Sequence, residues 1–168
     1  MILALGLDRE QVAGLLDRLR ARELTLACAE SLTGGLLLAV LTAVPGASAV
    51  VRGGLVVYAT DTKATLAGVP AGLLDRHGPV HPDVAAELAR GAADRCAADV
   101  GVGLTGVAGP DPQHGVAPGT VHIALCSPAG LEVRSLRAGG DRHAVRLAAV
   151  RGALDALERL SRGTSTSC

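Results

Sequence analysis

A chain of 168 residues with 49% apolar and 19% charged side chains can bury a substantial core as one domain, and its length argues against two. Sixteen basic residues balance sixteen acidic ones, which speaks against a broad cationic surface for nucleic-acid phosphates, and Tyr58 as the one aromatic residue speaks against an array of base-stacking platforms. Cysteines 28, 96, 126 and 168 form no CxxC pair, so neither a disulfide framework nor a zinc site is suggested, as fits a reducing cytoplasm. The most continuous apolar stretch, 34–44, is too short to span a bilayer, and no signal-peptide pattern opens the chain. A cytoplasmic protein without membrane or nucleic-acid partners is expected.

Asp8 followed by Gln11 resembles a capping box, and Val12, Leu15, Leu16 and Leu19 recur at helical spacing, which predicts an amphipathic helix over 8–22. The apolar run 24–29 reads as a buried strand. Ser31 and Thr33 are helix-cap types, and the apolar stretch from Gly34 predicts a buried helix ending before Pro45-Gly46. Gly53-Gly54 reads as a turn, followed by a strand over 55–58 and a short helix over 61–67. Residues 70–76 add a further helical turn. Pro82 suits a first helical position, and Val84, Leu88 and Ala92 continue that helix to Cys96. A strand over 99–104 leads into Thr105-Gly106-Val107-Ala108-Gly109-Pro110, and 110–119 is a loop rich in turn formers. Strands over 120–126 and 131–137, joined by Ser127-Pro128-Ala129-Gly130, form a hairpin. A last helix opens near Asp141 and carries Leu147, Val150, Leu154 and Leu157, and 162–168 is a flexible polar tail. The alternation of strands and helices, with one late hairpin, argues for a three-layer α/β sandwich around a mixed sheet, as a single domain over 1–161.

Fifteen of the sixteen basic residues are arginine, and Lys63 is the single lysine. An arginine stays protonated, whereas a desolvated lysine can lose its proton and act as a base. In open α/β sheets ligands gather beyond the carboxyl ends of the strands, where three segments meet: 29–35, 58–63 and 105–110. Ser31 is then a candidate nucleophile with Lys63 as its general base. The alternative is that Ser31 or Thr33 only caps a helix while Lys63 sits in solvent, and the residues alone leave both open. Glu30 is an acid-base candidate or a partner for backbone donors. Arg142, at a helix start, is a candidate phosphate contact or a solvated side chain. His77 and His81 are four apart, but Gly78 and Pro79 break any helix that would align them, so no metal ligand set is expected. The segment 106–109 lacks the GK[ST] of a phosphate-binding Walker loop.

Together these segments resemble the CinA C-terminal domain family, whose stand-alone members are nicotinamide mononucleotide (NMN) amidohydrolases. The resemblance rests on AESLTGGLLLAVLTAVPGAS at 29–48, GGLVVYATDTKATLAGV at 53–69, LTGVAGP at 104–110, PGTVHIAL at 118–125 and GDRHAVRLAA at 140–149. It implies an α/β/α sandwich of the anticodon-binding-domain-like class, with a mixed five-stranded sheet of order 2-1-3-4-5 and one strand antiparallel. It also implies a serine-lysine pair at Ser31 and Lys63, with neither metal nor organic cofactor. The substrate pocket it implies includes Tyr58, Thr105, Gly106 and Arg142, with Gly46 and Ser48 from the Pro-Gly-Ala-Ser stretch and oxyanion donors among Thr33, Gly34 and Gly35. A homo-oligomer, with a dimer favoured, is the implied assembly. Leu32 stands where cysteine is common in the family, and the loop 111–118, normally glycine-rich and running into Lys-Pro, has Gly115 alone and no lysine. Longer members carry an N-terminal molybdopterin-binding-like domain, for which 168 residues leave no room.

Overall fold

The computed structural model describes residues 5–163; of the tail expected over 162–168, residues 164–168 lie outside the described ones. In chain order the elements are α1 (Arg9–Ala21), β1 (Leu26–Glu30), α2 (Leu36–Thr42), a 3-10 turn (Ala47–Ala49), β2 (Val51–Val56), α3 (Thr60–Thr65), α4 (Ala71–His77), α5 (Pro82–Cys96), β3 (Val100–Gly106), β4 (Thr120–Ser127), β5 (Gly130–Arg137) and α6 (Arg142–Ser161). The sheet has the order β2-β1-β3-β4-β5. β1 runs parallel to β2 and β3, and β4 is antiparallel to both of its neighbours. It is the mixed five-stranded sheet of the expected order, with a single reversed strand.

The helices start where local chemistry lets them. Asp8 accepts from Glu10 N–H at α1, and Asp141 accepts from Ala144 N–H at α6. His81 accepts from Asp83 N–H at α5, with Pro82 as the first helical residue. Such caps satisfy N–H groups that have no partner inside the helix. Asp8 caps α1 alone, so the capping box suggested by Gln11 reduces to a simple cap. No described helix is long and apolar enough to cross a membrane.

Alternation along β1 divides the core. Leu26 and Cys28 join the larger cluster with Leu15, Leu19, Leu37, Leu41, Val150 and Leu157, under α1, α2 and α6. Ala27 and Ala29 face the other way, against Val57, Leu74, Val84 and Leu88. On β3 the contrast is sharper: Val100, Val102 and Leu104 fill the first cluster, while Gly101 and Gly103 lie beneath α5. A Cβ on Gly101 would sit 1.9 Å from Ala89 O, and one on Gly103 would sit 2.2 Å from Ala85 O. The helix backbone therefore rests directly on the sheet. Gly103→Ala is expected to destabilise the fold by about 1–3 kcal/mol or more, because backbone, not a flexible side chain, must yield. The shift in urea midpoint measures it, and an unchanged midpoint would contradict this packing.

Two boundaries differ from the sequence expectation. β2 starts at Val51, and Gly53 and Gly54 pair inside it with Ala27 and Cys28 instead of forming a turn. Parallel pairing to β1 overrides the weak strand propensity of glycine, and a Cβ on Gly54 would meet Leu38 at 2.9 Å. β3 extends through Thr105 and Gly106, which pair with His122 and Val121 of β4.

Candidate active site

Ser31 follows the last residue of β1, and its N–H donates to Leu104 O at 3.0 Å, so the sheet ladder continues through it and fixes its backbone. The next helix, α2, is capped from behind. The buried Glu30 carboxylate accepts from the N–H groups of Gly35, Leu37 and Leu38 at 2.8–3.1 Å. An anion at a helix N-terminus with several donors is well stabilised. Glu30 thus fills the capping role that sequence left open to Ser31 or Thr33, and the Ser31 hydroxyl is free for another partner.

That partner is Lys63. Its Nζ lies 3.0 Å from Ser31 Oγ, 2.7 Å from Val57 O and 3.3 Å from Tyr58 O. The side chain is 1% exposed, and no carboxylate lies within 4.0 Å of it among the described residues. Burial lowers its pKa from 10.5 to about 8, against the weaker opposing pull of Asp61. Removing water from around an unpaired ammonium favours the neutral amine. Nζ donates to all three oxygens in the resting arrangement; in the neutral amine two N–H bonds suffice for the carbonyls of Val57 and Tyr58, which leaves the lone pair for the serine hydroxyl. α3 supplies Lys63 and the loop after β2 supplies the carbonyls, so two adjacent strand ends assemble the pair.

The Ser31 hydroxyl borders a small cleft of about 120 Å³. Tyr58, Gly106 and Arg142 line it together with Ser31 and Lys63. Arg142 donates to Gly109 O at 3.0 Å and to the Tyr58 hydroxyl at 2.5 Å, which ties α6 to the loops after β2 and β3. Thr105 supports the wall: its buried hydroxyl donates to Pro79 O at 2.6 Å, and Pro79 and Val80 line the cleft.

Other expected positions fall elsewhere. Gly34 N–H donates to Ser31 O and Gly35 N–H to Glu30, so neither is available as an oxyanion donor; both are spent on forming the turn and capping α2. The N–H groups of Leu32 and Thr33 have no acceptor among the described residues. Thr33 is buried, and its hydroxyl has no hydrogen-bond partner among the described residues. Gly46 and Ser48 line a separate groove with Leu38, Thr42 and Arg52. The reason is topological: α2 carries the chain back to the amino end of β2, whereas Ser31 stands at the carboxyl end of the parallel β1.

Sequence reasoning passed over Arg146. Its guanidinium donates to Leu32 O at 3.0 Å and Thr33 O at 2.7 Å, clamping the loop that carries Ser31. Because C=O and N–H point oppositely across a trans peptide, holding Leu32 O toward α6 turns the Thr33 N–H away from it. The four-residue spacing from Arg142 puts both arginines on one helical face, and that was the available signal. Pro79, Val80, Asp111 and Gln113 also line the cleft, brought there by turns with no motif of their own.

Comparison with known proteins then places the chain. A profile of the CinA C-terminal domain matches residues 9–161. The chain belongs to the CinA C-terminal domain family. It is 48% identical over 162 residues to a CinA-like protein of Frankia casuarinae, covering 96% of this chain and 37% of that one. A CinA-like protein of Geobacter sulfurreducens is 46% identical over 141 residues, covering 83% and 34%. The chain therefore spans little more than a third of these relatives. Among solved structures, a competence-damaged protein (CinA) superfamily protein from Klebsiella pneumoniae superposes with a TM-score of 0.87 at 33% identity, over 92% of this chain and 98% of that chain. A CinA superfamily protein from Escherichia coli gives 0.87 at 34% identity, over 90% and 89%.

Proposed function

We propose that this CinA-family chain is an amidohydrolase that converts NMN and water to nicotinic acid mononucleotide and ammonia, using Ser31 as nucleophile and Lys63 as general base. The observation that carries the reading is the buried, unpaired Lys63 amine 3.0 Å from the Ser31 hydroxyl. Neutral Lys63 takes the Ser31 proton as Oγ bonds to the carboxamide carbon. The negative charge that develops on the carbonyl oxygen is met by the unpartnered N–H groups of the Leu32-Thr33 turn, where each well-placed donor is worth about 3–4 kcal/mol. As the adduct collapses, the C–N bond breaks and Lys63 passes its proton to the departing nitrogen, releasing ammonia and leaving an ester on Ser31. Neutral Lys63 then deprotonates a water. That water attacks the ester, the carbon–Oγ bond breaks, and the proton returns to Ser31.

The phosphate of NMN is assigned to Arg142, which lines the same cleft as Ser31 and Lys63. Arg142→Ala is expected to raise KM for NMN more than it lowers kcat, because a contact remote from the amide binds substrate and transition state alike. Equal KM values for variant and wild type would move the phosphate elsewhere. Ammonia release by the purified chain mixed with NMN tests the activity itself. A chain that NMN protects against unfolding but that yields no ammonia would instead be a nucleotide-binding module on the same fold.

A further inference from the structure

The break between α4 and α5 does not separate His77 from His81. α4 ends at His77, and His81 caps α5 four residues on. The intervening turn folds the two imidazoles onto each other with ring centroids 4.2 Å apart. Asp83 joins them, and one ligand atom from each of the three residues lies within 4.8 Å of the others. His81 Nδ1 is already 3.5 Å from Asp83 Oδ2, close to the separation of about 3.4 Å set by a tetrahedral zinc ion with bonds of about 2.0–2.2 Å. His77 and Asp83 are exposed, so small rotations bring in the remaining atoms. The Asp83 N–H donates to Nδ1 of His81 at 3.2 Å; a cation would replace this one long hydrogen bond. His114 borders the turn at Gly78, with its Cβ 3.6 Å from where a Cβ on Gly78 would stand.

We propose that His77, His81 and Asp83 form a site for a borderline divalent transition metal of the zinc class, remote from the Ser31 chemistry in role but fastened to its wall. Two imidazoles and one carboxylate suit zinc and disfavour magnesium or calcium, which take oxygen ligands. The bound ion joins the end of α4 to the start of α5 and so clamps the turn between them, whose Pro79 and Val80 line the cleft. The site is independent of the activity proposed above and stands or falls separately.

Zinc chloride alone, titrated into the purified chain by calorimetry and by thermal unfolding, tests it. One zinc per chain and a rise in unfolding midpoint are expected, with no response to magnesium. His77→Gln and His81→Asn should each weaken zinc binding by about tenfold or more; asparagine at 81 keeps a side-chain acceptor for the cap, so α5 should survive. In ¹H–¹⁵N spectra of the imidazoles, zinc should move the ring nitrogens of His77 and His81 while those of His143 stay in place. Failure of wild type to bind zinc, wild-type zinc affinity in both variants, or unmoved His77 and His81 resonances would overturn the proposal.

Discussion

Lys63→Arg is expected to abolish ammonia release from NMN, lowering the rate by about 10²- to 10⁴-fold, the usual contribution of a positioned general base. The substitution keeps the charge and most of the length. Fifteen other positions show how readily this chain uses arginine, since Lys63 is the one lysine among its sixteen basic residues. If Lys63 served only as a fixed positive charge, arginine would serve nearly as well. A guanidinium has no lone pair to accept the Ser31 proton, however, and holds its own protons far above neutral pH. The variant must also fit a larger head between Val57 O, Tyr58 O and Ser31 Oγ, so its fold should be verified by circular dichroism. A folded and active Lys63→Arg protein would contradict the base assignment.

Ser31→Ala should lower the rate by about 10³-fold or more, as removal of the nucleophile does in other acyl-transfer enzymes, while leaving the fold intact. The structural reason for the second half is specific. Glu30, and not Ser31, caps α2, and among the described residues the only side-chain hydrogen bond of Ser31 is to Lys63. Were Ser31 a helix cap, its loss would cost about 0.5–2 kcal/mol and spare turnover. Ammonia release and the urea midpoint measured together separate the two roles, and retained activity with lowered stability would contradict the nucleophile.

The helix starts at Asp8, Pro82 and Asp141 were legible because a cap or a proline acts within one turn of chain. The hairpin from 120 to 137 was legible for the same local reason. β2 was misplaced at its start because its glycines read as a turn, and only pairing with β1 makes them strand. The site follows the same division. Lys63 stands out in composition and Ser31 in its segment, but their 3.0 Å separation is made by two parallel strands ending side by side. Thr105 looked like a pocket residue and instead holds Pro79, a contact between residues 26 positions apart. Gly46 and Ser48 share a motif stretch with Ser31, yet α2 takes them to the opposite end of the sheet. His77 and His81 were set aside because no helix could align them; a turn does so instead.

Because Lys63 is the only lysine in the chain, protein labelled with ¹³C at lysine Cε gives one side-chain resonance that needs no assignment by mutation. Its titration by NMR is the direct test of a neutral base beside Ser31. The midpoint is expected at about 8, and log kcat/KM for NMN should fall with unit slope as pH drops below it, since the protonated amine cannot accept the serine proton. A midpoint at the ordinary lysine value of 10.5, or a rate that does not change across the observed midpoint, would contradict the account.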